Sequence, residues 1–303
     1  MRAVLDRIQR AGAPSLHRMP VRDARKSYTL RSEVLDLPRA PLARVEEIAL
    51  PAADGASLPA RLYAPSGERL PVMLYTHGGG FTIGNLETHD SLCSQLALRS
   101  GVAVVALDYR LAPEHRFPTA VDDSWSAMQW LAEHGDQLGL DGGRLAVGGD
   151  SAGGTLAAVS ALHARDIGLP LALQLLITPG TTAHQDTASH SEFAEGFLLD
   201  AEGIAWFFDH YIDHADRRDW RFAPLEADEV EGVAPACFIL AECDPLVDEG
   251  IAYADKLRVA GVAVDFELYR GVTHDFIKMA RAIPEAVAAL DAAALALKKA
   301  LIP

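Results

Sequence analysis

The sequence predicts an α/β fold with a mostly parallel sheet, and two features carry this prediction. After three early strands, short apolar runs alternate with helical segments, an order typical of parallel sheets with right-handed crossovers. The composition also allows a large core, because 50% of the 303 residues are hydrophobic and 23% are charged. Chains of this length often form one α/β domain, so we expect a single core with an insertion.

The first 44 residues stand apart from this alternating order. Val4, Leu5 and Ile8 recur at helical spacing and predict a short amphipathic helix, after which four prolines between residues 14 and 41 interrupt regular structure. The segment holds ten basic and four acidic residues, a net charge of about +6, which leaves about −21 on the rest of the chain. We expect the segment to dock on the acidic body of the protein rather than on a membrane.

Eight apolar segments predict the strands of the sheet, and the first two flank an Asp54-Gly55 turn that is typical of a hairpin. The predicted strands are residues 47–51, 57–63, 70–76, 102–107, 144–147, 171–177, 236–241 and 264–269. Helical spacing of apolar residues predicts helices at residues 121–131, 151–165, 247–259 and 284–301.

Residues 180–222 break the alternation of strands and helices. A polar stretch is followed by an aromatic helical segment that includes Trp206, Phe207 and Tyr211. We interpret these residues as an insertion with its own helix, because a crossover of this length and composition is uncommon.

Composition and charge disfavour several classes of protein. A net charge of −15 and an isoelectric point near 5.1 disfavour nucleic-acid binding. No apolar run reaches the roughly 18 residues of a membrane span, and the N-terminus lacks the apolar region of a signal peptide. Cys93, Cys237 and Cys243 are too few for a disulfide framework. We therefore expect a cytoplasmic protein that binds no nucleic acid and has no membrane span.

The segment Gly149-Asp150-Ser151-Ala152-Gly153 has the form GxSxG and lies between a predicted strand and a predicted helix. At such a turn the glycines permit close backbone approach, while the serine hydroxyl is exposed at the N-terminus of the helix. This context indicates a nucleophilic serine. The alternative is an ordinary glycine-rich turn in which Ser151 caps the helix.

A second glycine motif, His77-Gly78-Gly79-Gly80, follows the predicted strand at residues 70–76. Successive glycines allow N–H groups to face a cleft, where a tetrahedral oxyanion needs donors at about 3 Å. We predict that Gly78, Gly79 and Gly80 form an oxyanion hole together with the N–H group of Ala152. A phosphate-binding loop is the alternative, but neither GxGxxG nor a following Lys-Ser/Thr is present.

A serine hydroxyl needs a base, and in the chain order nucleophile, acid, histidine the base follows the last strands. His274 is the one histidine of the sequence beyond the strand at residues 236–241, so we predict that it is the base. Asp244, just after that strand, is the predicted acid that orients the imidazole. Glu242 and Asp248 are the alternatives for the acid.

Taken in this order, the motifs resemble the hormone-sensitive-lipase-like branch of the α/β-hydrolase carboxylesterases. The likeness runs from about residue 45 to the C-terminus and includes DYRLAPE at residues 108–114 and Asp244-Pro245-Leu246. It implies an α/β-hydrolase fold, with a central, mostly parallel eight-stranded sheet flanked by helices. Under this resemblance residues 1–44 are the N-terminal part of a helical cap and 180–222 the cap insertion, whereas 45–179 and 223–303 form the core.

The resemblance further implies a catalytic triad of Ser151, Asp244 and His274. We expect Asp108, Arg110 and Glu114 to brace the glycine run from behind, because backbone donors act only if they are held still. The sequence departs from the family at Asp275, where glycine is common, and at Val247, where arginine is common. We expect the Asp275 side chain to point to solvent, and the alternative is that its charge raises the basicity of His274.

The predicted function is a serine carboxylesterase that hydrolyses short-chain acyl esters through an acyl-enzyme intermediate, with no metal or organic cofactor. Its partner is a small-molecule ester, and the sequence is also compatible with a homodimer. A small apolar pocket is expected, lined by Phe81, Phe193, Phe197 and Trp206. The alternatives are an amidase or lactonase with the same triad, or a non-catalytic small-ligand receptor on the same fold.

Overall fold

The computed structural model describes residues 1–32 and 34–302, so that Glu33, one of the four acidic residues of the N-terminal segment, and Pro303 lie outside the described residues. The strands are β1 (Arg44–Pro51), β2 (Ser57–Ala64), β3 (Leu70–Thr76), β4 (Ala103–Leu107), β5 (Leu140–Asp150), β6 (Gln174–Ile177), β7 (Ala236–Cys243) and β8 (Val264–Thr273). All eight predicted strands are therefore present, with β5 extended at both ends.

The α-helices of the described residues surround these strands. They are α1 (Arg2–Arg10), α2 (Val21–Ser32), α3 (Asp90–Ser100), α4 (Thr119–His134), α5 (Ala152–Asp166), α6 (Ala188–Glu192), α7 (Ala201–Tyr211), α8 (Val247–Val259) and α9 (Pro284–Leu301). Within residues 1–32 and 34–302, no helix combines the length and apolar character that crossing a membrane requires.

The strands form one sheet in the order β1-β2-β4-β3-β5-β6-β7-β8. The strand β2 pairs antiparallel with β1 and β4, and every other neighbouring pair is parallel. This arrangement confirms the predicted mostly parallel eight-stranded sheet. Because β3, β5, β6, β7 and β8 run in one direction, their carboxyl ends meet along one edge, where ligands bind in open α/β sheets.

The core lies on both faces of the sheet, because successive side chains of a buried strand point to opposite sides. Val72 and Leu74 of β3 belong to one cluster, which includes side chains of α4, α5 and α8. Met73 and Tyr75 belong to the other, which includes side chains of α3 and α9. The helices thus cover the sheet on both sides and hold its strand ends in fixed positions.

The N-terminal segment is more regular than the sequence predicts. Its prolines lie outside residues 21–32, which form the helix α2 between two irregular stretches. The short turn before α2 contacts the insertion, because His17 lies within salt-bridge distance of Asp200 and Glu202 at the start of α7. The two segments that break the alternating pattern of the sequence therefore lie side by side.

Candidate active site

The predicted site residues lie at the carboxyl ends of four parallel strands. His77 follows β3, Ser151 follows β5, Asp244 follows β7 and His274 follows β8. Residues distant in sequence are thereby brought to one edge of the sheet.

Ser151 occupies a strained turn between β5 and α5. Its backbone has φ 54° and ψ −122°, a region that non-glycine residues rarely adopt, and its N–H group donates to the Ile177 carbonyl at 2.8 Å. The turn is tight enough that a Cβ at Gly153 would overlap the Thr76 carbonyl oxygen. The last glycine of the motif thus allows α5 to approach β3 closely while the Ser151 hydroxyl stays half-buried at the cavity wall.

Ser151, His274 and Asp244 form a continuous hydrogen-bonded row. The distance from Ser151 Oγ to His274 Nε2 is 2.9 Å, and that from His274 Nδ1 to Asp244 Oδ2 is 2.7 Å. Asp244 is 1% exposed, and its other oxygen accepts the N–H group of Leu246 at 2.9 Å. These contacts fix the carboxylate and, through it, the orientation of the imidazole.

The two alternative acids are bound elsewhere. Glu242 is exposed and accepts the N–H group of Gly271 at 2.7 Å. Asp248 accepts the N–H group of Ser189 in α6 at 2.8 Å. The structure therefore brings Asp244, and neither competitor, to His274.

The pKa of His274 is raised to about 9. Burial alone would lower this pKa, but the Asp244 carboxylate outweighs burial through its charge and its hydrogen bond. Asp275 and Asp150 add smaller contributions in the same direction. Asp275 is half-buried and lines the cavity, which supports the alternative that its charge raises the basicity of His274.

In the glycine run, two backbone N–H groups rather than three have no acceptor among the described residues. Gly79 and Gly80 line the cavity beside Ser151 and Ala152. In the described part of the chain, the N–H groups of Gly79 and Gly80 donate no hydrogen bond. The N–H group of Gly78, predicted as a third donor, is already donated to Asp150 Oδ1 at 3.0 Å. Gly78 is therefore not a free donor.

A buried polar network lies behind the glycine run, with Asp150 at its centre. Asp150 is 1% exposed and accepts Tyr75 Oη at 2.5 Å, and its Oδ2 lies 3.0 Å from His89 Nε2. Tyr109 Oη donates to the His77 carbonyl at 2.7 Å and its ring stacks on the His77 ring. Asp150, the residue before the predicted nucleophile, thus holds the glycine run in place. The sequence analysis did not predict this role.

None of the three residues predicted to brace the glycine run makes a direct hydrogen bond to it. Arg110 binds Asp123 and Asp54, and Glu114 binds Arg25 of α2. The carboxylate of Asp108, one-third exposed, lies 3.8 Å from His77 Nε2. The bracing prediction is therefore wrong for Arg110. Glu114 supports the glycine run indirectly, because the Arg25 guanidinium that it binds also donates to the Thr82 carbonyl, two residues after Gly80, at 2.9 Å.

A cavity of about 870 Å³ opens onto Ser151 and His274, so the pocket is larger than the small one predicted. Phe81 and Trp206 line it as predicted, whereas Phe193 and Phe197, which pack edge to face at 5.0 Å, are not among its lining residues. Phe207 of α7 lies so close to the glycine run that a Cβ at Gly80 would overlap its ring. The N-terminal segment and the insertion both supply walls of this cavity.

Comparison with known proteins agrees with this geometry. The model of a protein family described as having the alpha/beta hydrolase fold matches residues 73–278. The chain belongs to the hormone-sensitive-lipase-like family of α/β-hydrolases. This α/β-hydrolase is 45% identical over 250 residues to an ethyl acetate hydrolase of Pseudomonas putida, an alignment that covers 80% of this chain and 78% of that one.

Two further relatives extend the similarity over most of the chain. The α/β-hydrolase is 41% identical over 284 residues to the esterase LipI of Mycobacterium tuberculosis, covering 90% and 88% of the two chains. A solved structure of a thermostable esterase from Pseudomonas putida superposes with a TM-score of 0.95 at 37% identity, covering 99% of this chain and 96% of that one. The resemblance stated from the motifs is thereby confirmed.

Proposed function

We propose that the protein is a serine carboxylesterase that acts through an acyl-enzyme intermediate. His274 removes the proton of Ser151, whose oxygen attacks the ester carbonyl carbon. The resulting oxyanion accepts hydrogen bonds from the N–H groups of Gly79, Gly80 and Ala152, and the alcohol leaves with the proton from His274. A water molecule activated by the same imidazole then releases the acid.

The observation that carries this proposal is the row of Ser151, His274 and Asp244 at 2.9 and 2.7 Å, set in the wall of a cavity beside unbonded backbone donors. Nucleophile, base and orienting acid need this order of contacts. The reaction class is also the one named for relatives at 40 to 45% identity, among them a carboxylesterase of Mycobacterium tuberculosis.

We further propose that residues 1–44 and 180–222 form one cap over a core of residues 45–179 and 223–303. The His17 contacts with Asp200 and Glu202 support a single cap, since they join its two parts. The insertion is also tied to the core, because buried Glu249 of α8 accepts the Thr181 N–H group at 2.5 Å and lies 3.2 Å from His190 Nε2. Such a cap would bound the acyl and alcohol pockets.

The proposed substrates are short-chain acyl esters, and the aromatic wall over the glycine run supports this limit. We expect kcat/KM for p-nitrophenyl esters to be highest for acetyl and butyryl groups and to fall by about tenfold or more for dodecanoyl. The measurement is initial-rate kinetics below the critical micelle concentration of each ester. A preference for dodecanoyl ester, or a jump in rate once it forms an interface, would contradict the proposal.

Activity should depend on the protonation of His274, because only the neutral imidazole accepts a proton. Since the pKa of His274 is raised to about 9, we expect kcat/KM to rise with pH and to level off near or above that value. Asp275→Asn removes one of the negative charges that raise this pKa. The rise of kcat/KM with pH should therefore begin at lower pH in this variant. Asn tolerates the left-handed conformation of residue 275, whose φ is 60°.

The control for this pH prediction is Asp255→Asn, which neutralises an exposed carboxylate of α8. Its profile should coincide with that of the wild type. If the acidic limbs of all three proteins fell at the same pH, Asp275 would have no influence on the group that titrates.

A further inference from the structure

Lys278 is a buried charge that the proposed mechanism does not use. It lies in the short turn Phe276–Lys278, four residues after His274, and is 4% exposed. Its Nζ atom donates to Tyr28 Oη of α2 at 2.9 Å and lies 4.8 Å from the centre of the Tyr28 ring. Both residues line the cavity that contains Ser151 and His274.

The other buried charges near the site are well matched by partners, and Lys278 is not. Asp150 has the three donors described above, and Glu249 has His190 and the Thr181 N–H group. In the described part of the chain, no carboxylate lies within salt-bridge distance of Lys278 Nζ, and Tyr28 is its one hydrogen-bond partner. Burying an ammonium group is unfavourable unless its N–H donors are satisfied.

The Lys278 and Tyr28 pair therefore has N–H and O–H donors without an acceptor among the described residues. An ammonium group carries three N–H donors, of which Tyr28 accepts one. Tyr28 remains a protonated phenol, because burial raises its pKa well above the usual value, and its own O–H is then free to donate. Several donors at one point of a largely apolar wall are typical of a position that orients a ligand.

We propose that Lys278 and Tyr28 form a polar subsite that binds an uncharged oxygen acceptor of the substrate, such as a keto, ether or hydroxyl oxygen, in addition to the ester that is cleaved. This inference rests on the proposed esterase function and narrows its substrate class. The preferred substrates are oxygenated esters, with a second oxygen separated from the scissile carbonyl by a few bonds.

An uncharged acceptor fits the local charges better than an anion does. Asp275 lines the same cavity, and Asp275 and Asp150 both act on Lys278 at longer range. Arg7 and Arg31 also line the cavity, but the charges that act on Lys278 itself include two carboxylates, so an anion bound at its Nζ atom would meet their repulsion. A carbonyl or ether oxygen accepts the same hydrogen bond without that repulsion.

The test compares esters of nearly equal shape that differ in one acceptor oxygen. On the acyl side the pair is ethyl levulinate and ethyl 4-methylpentanoate, with monoethyl succinate as the charged analogue. On the alcohol side the pair is 3-oxobutyl acetate and 3-methylbutyl acetate. Each is assayed with the wild type, Lys278→Met and Lys298→Met, the last of which removes an exposed ammonium of α9 as a control.

We expect Lys278→Met to lower the ratio of kcat/KM for the keto ester to that for the hydrocarbon ester by about 10- to 100-fold in at least one pair. The loss should lie mainly in KM, and Lys298→Met should keep the wild-type ratio. Tyr28→Phe keeps the ring under the ammonium and should lower the same ratio by a smaller factor. This variant gives an independent measurement if Lys278→Met does not fold.

Two results would overturn the inference. If Lys278→Met and Tyr28→Phe slowed keto and hydrocarbon esters equally, the pair would only join α2 to the turn after His274. If the loss were confined to monoethyl succinate, the subsite would bind a carboxylate instead. Failure of the wild type to hydrolyse every ester would reject the proposed function itself, a result distinguishable from a change in ratio.

Discussion

Ser151→Ala is expected to lower kcat for ester hydrolysis by about 10⁴- to 10⁶-fold while leaving the fold intact. The substitution removes the atom that attacks the carbonyl carbon, and the neighbouring imidazole and backbone donors cannot replace it. Stability should change little, because the half-buried Ser151 hydroxyl bonds only His274 among the described side chains. The measurements are steady-state kinetics and thermal unfolding of the purified protein.

Labelling with a fluorophosphonate provides the control for this prediction, since the reagent reacts with an activated serine. One label per chain, mapped to Ser151, is expected in the wild type and none in Ser151→Ala. Ser57→Ala, which removes an exposed hydroxyl from β2, should keep both activity and labelling. A label on another residue, or most of the activity retained in Ser151→Ala, would reject the proposed nucleophile.

The sheet could be predicted from sequence because buried parallel strands are short and apolar. Each predicted strand lies within or close to an observed one, and the predicted site residues follow the ends of β3, β5, β7 and β8. Parallel strand ends meet at one edge, so chain order alone was enough to bring Ser151, Asp244 and His274 together. The role of Ser151 as the nucleophile is the proposal that the labelling experiment tests.

Three helices of the described residues were not predicted: the five-residue α6, and α2 and α3, which were missed for different physical reasons. The prolines of the N-terminal segment indicated irregular structure, yet residues 21–32 hold neither proline nor glycine and form α2. The helix α3 lacks a clear helical pattern of apolar residues, because Ser91, Ser94 and Ser100 are buried in it. Their hydroxyl groups donate to backbone carbonyls, so polar residues occupy positions where a helical pattern would show apolar ones.

The hydrogen bonds that support the glycine run could not be predicted, because they join residues that are distant in sequence. Tyr75 and His89 reach Asp150 across separations of 75 and 61 residues. A single sequence carries no periodicity or spacing that would indicate such contacts. The prediction instead assigned the bracing role to Asp108, Arg110 and Glu114. Of these, Arg110 binds Asp123, Asp108 lies 3.8 Å from His77 Nε2, and Glu114 acts only through Arg25.

Asp150→Ala is expected to impair both stability and catalysis, because it leaves three buried donors without an acceptor. The Gly78 N–H group, the Tyr75 hydroxyl and the His89 ring nitrogen all lose their partner. We expect the free energy of unfolding to fall by about 3 to 5 kcal/mol. Because the glycine run loses its support, kcat should fall by about 10²- to 10³-fold.

Asp150→Asn and Asp123→Ala are matched variants that separate these two effects. Asparagine keeps an oxygen that accepts from Gly78 and Tyr75. The losses of unfolding free energy and of kcat should therefore be smaller in Asp150→Asn than in Asp150→Ala. Asp123 is equally buried but binds Arg110, away from the glycine run, so Asp123→Ala should lower stability and spare kcat. Chemical unfolding and kinetics below each transition provide the data, and equal loss of kcat in Asp123→Ala and Asp150→Ala would contradict the proposed support.

The contribution of Asp150 should also depend on pH. Burial alone would raise its pKa, but His89, the Lys278 ammonium and the Tyr75 hydroxyl together lower it below the usual value. A carboxyl group whose pKa is lower in the folded state contributes fully above its unfolded pKa of about 3.9 and loses that contribution as the pH falls. The difference in unfolding free energy between the wild type and Asp150→Ala should therefore be constant near neutral pH and narrow below about pH 4.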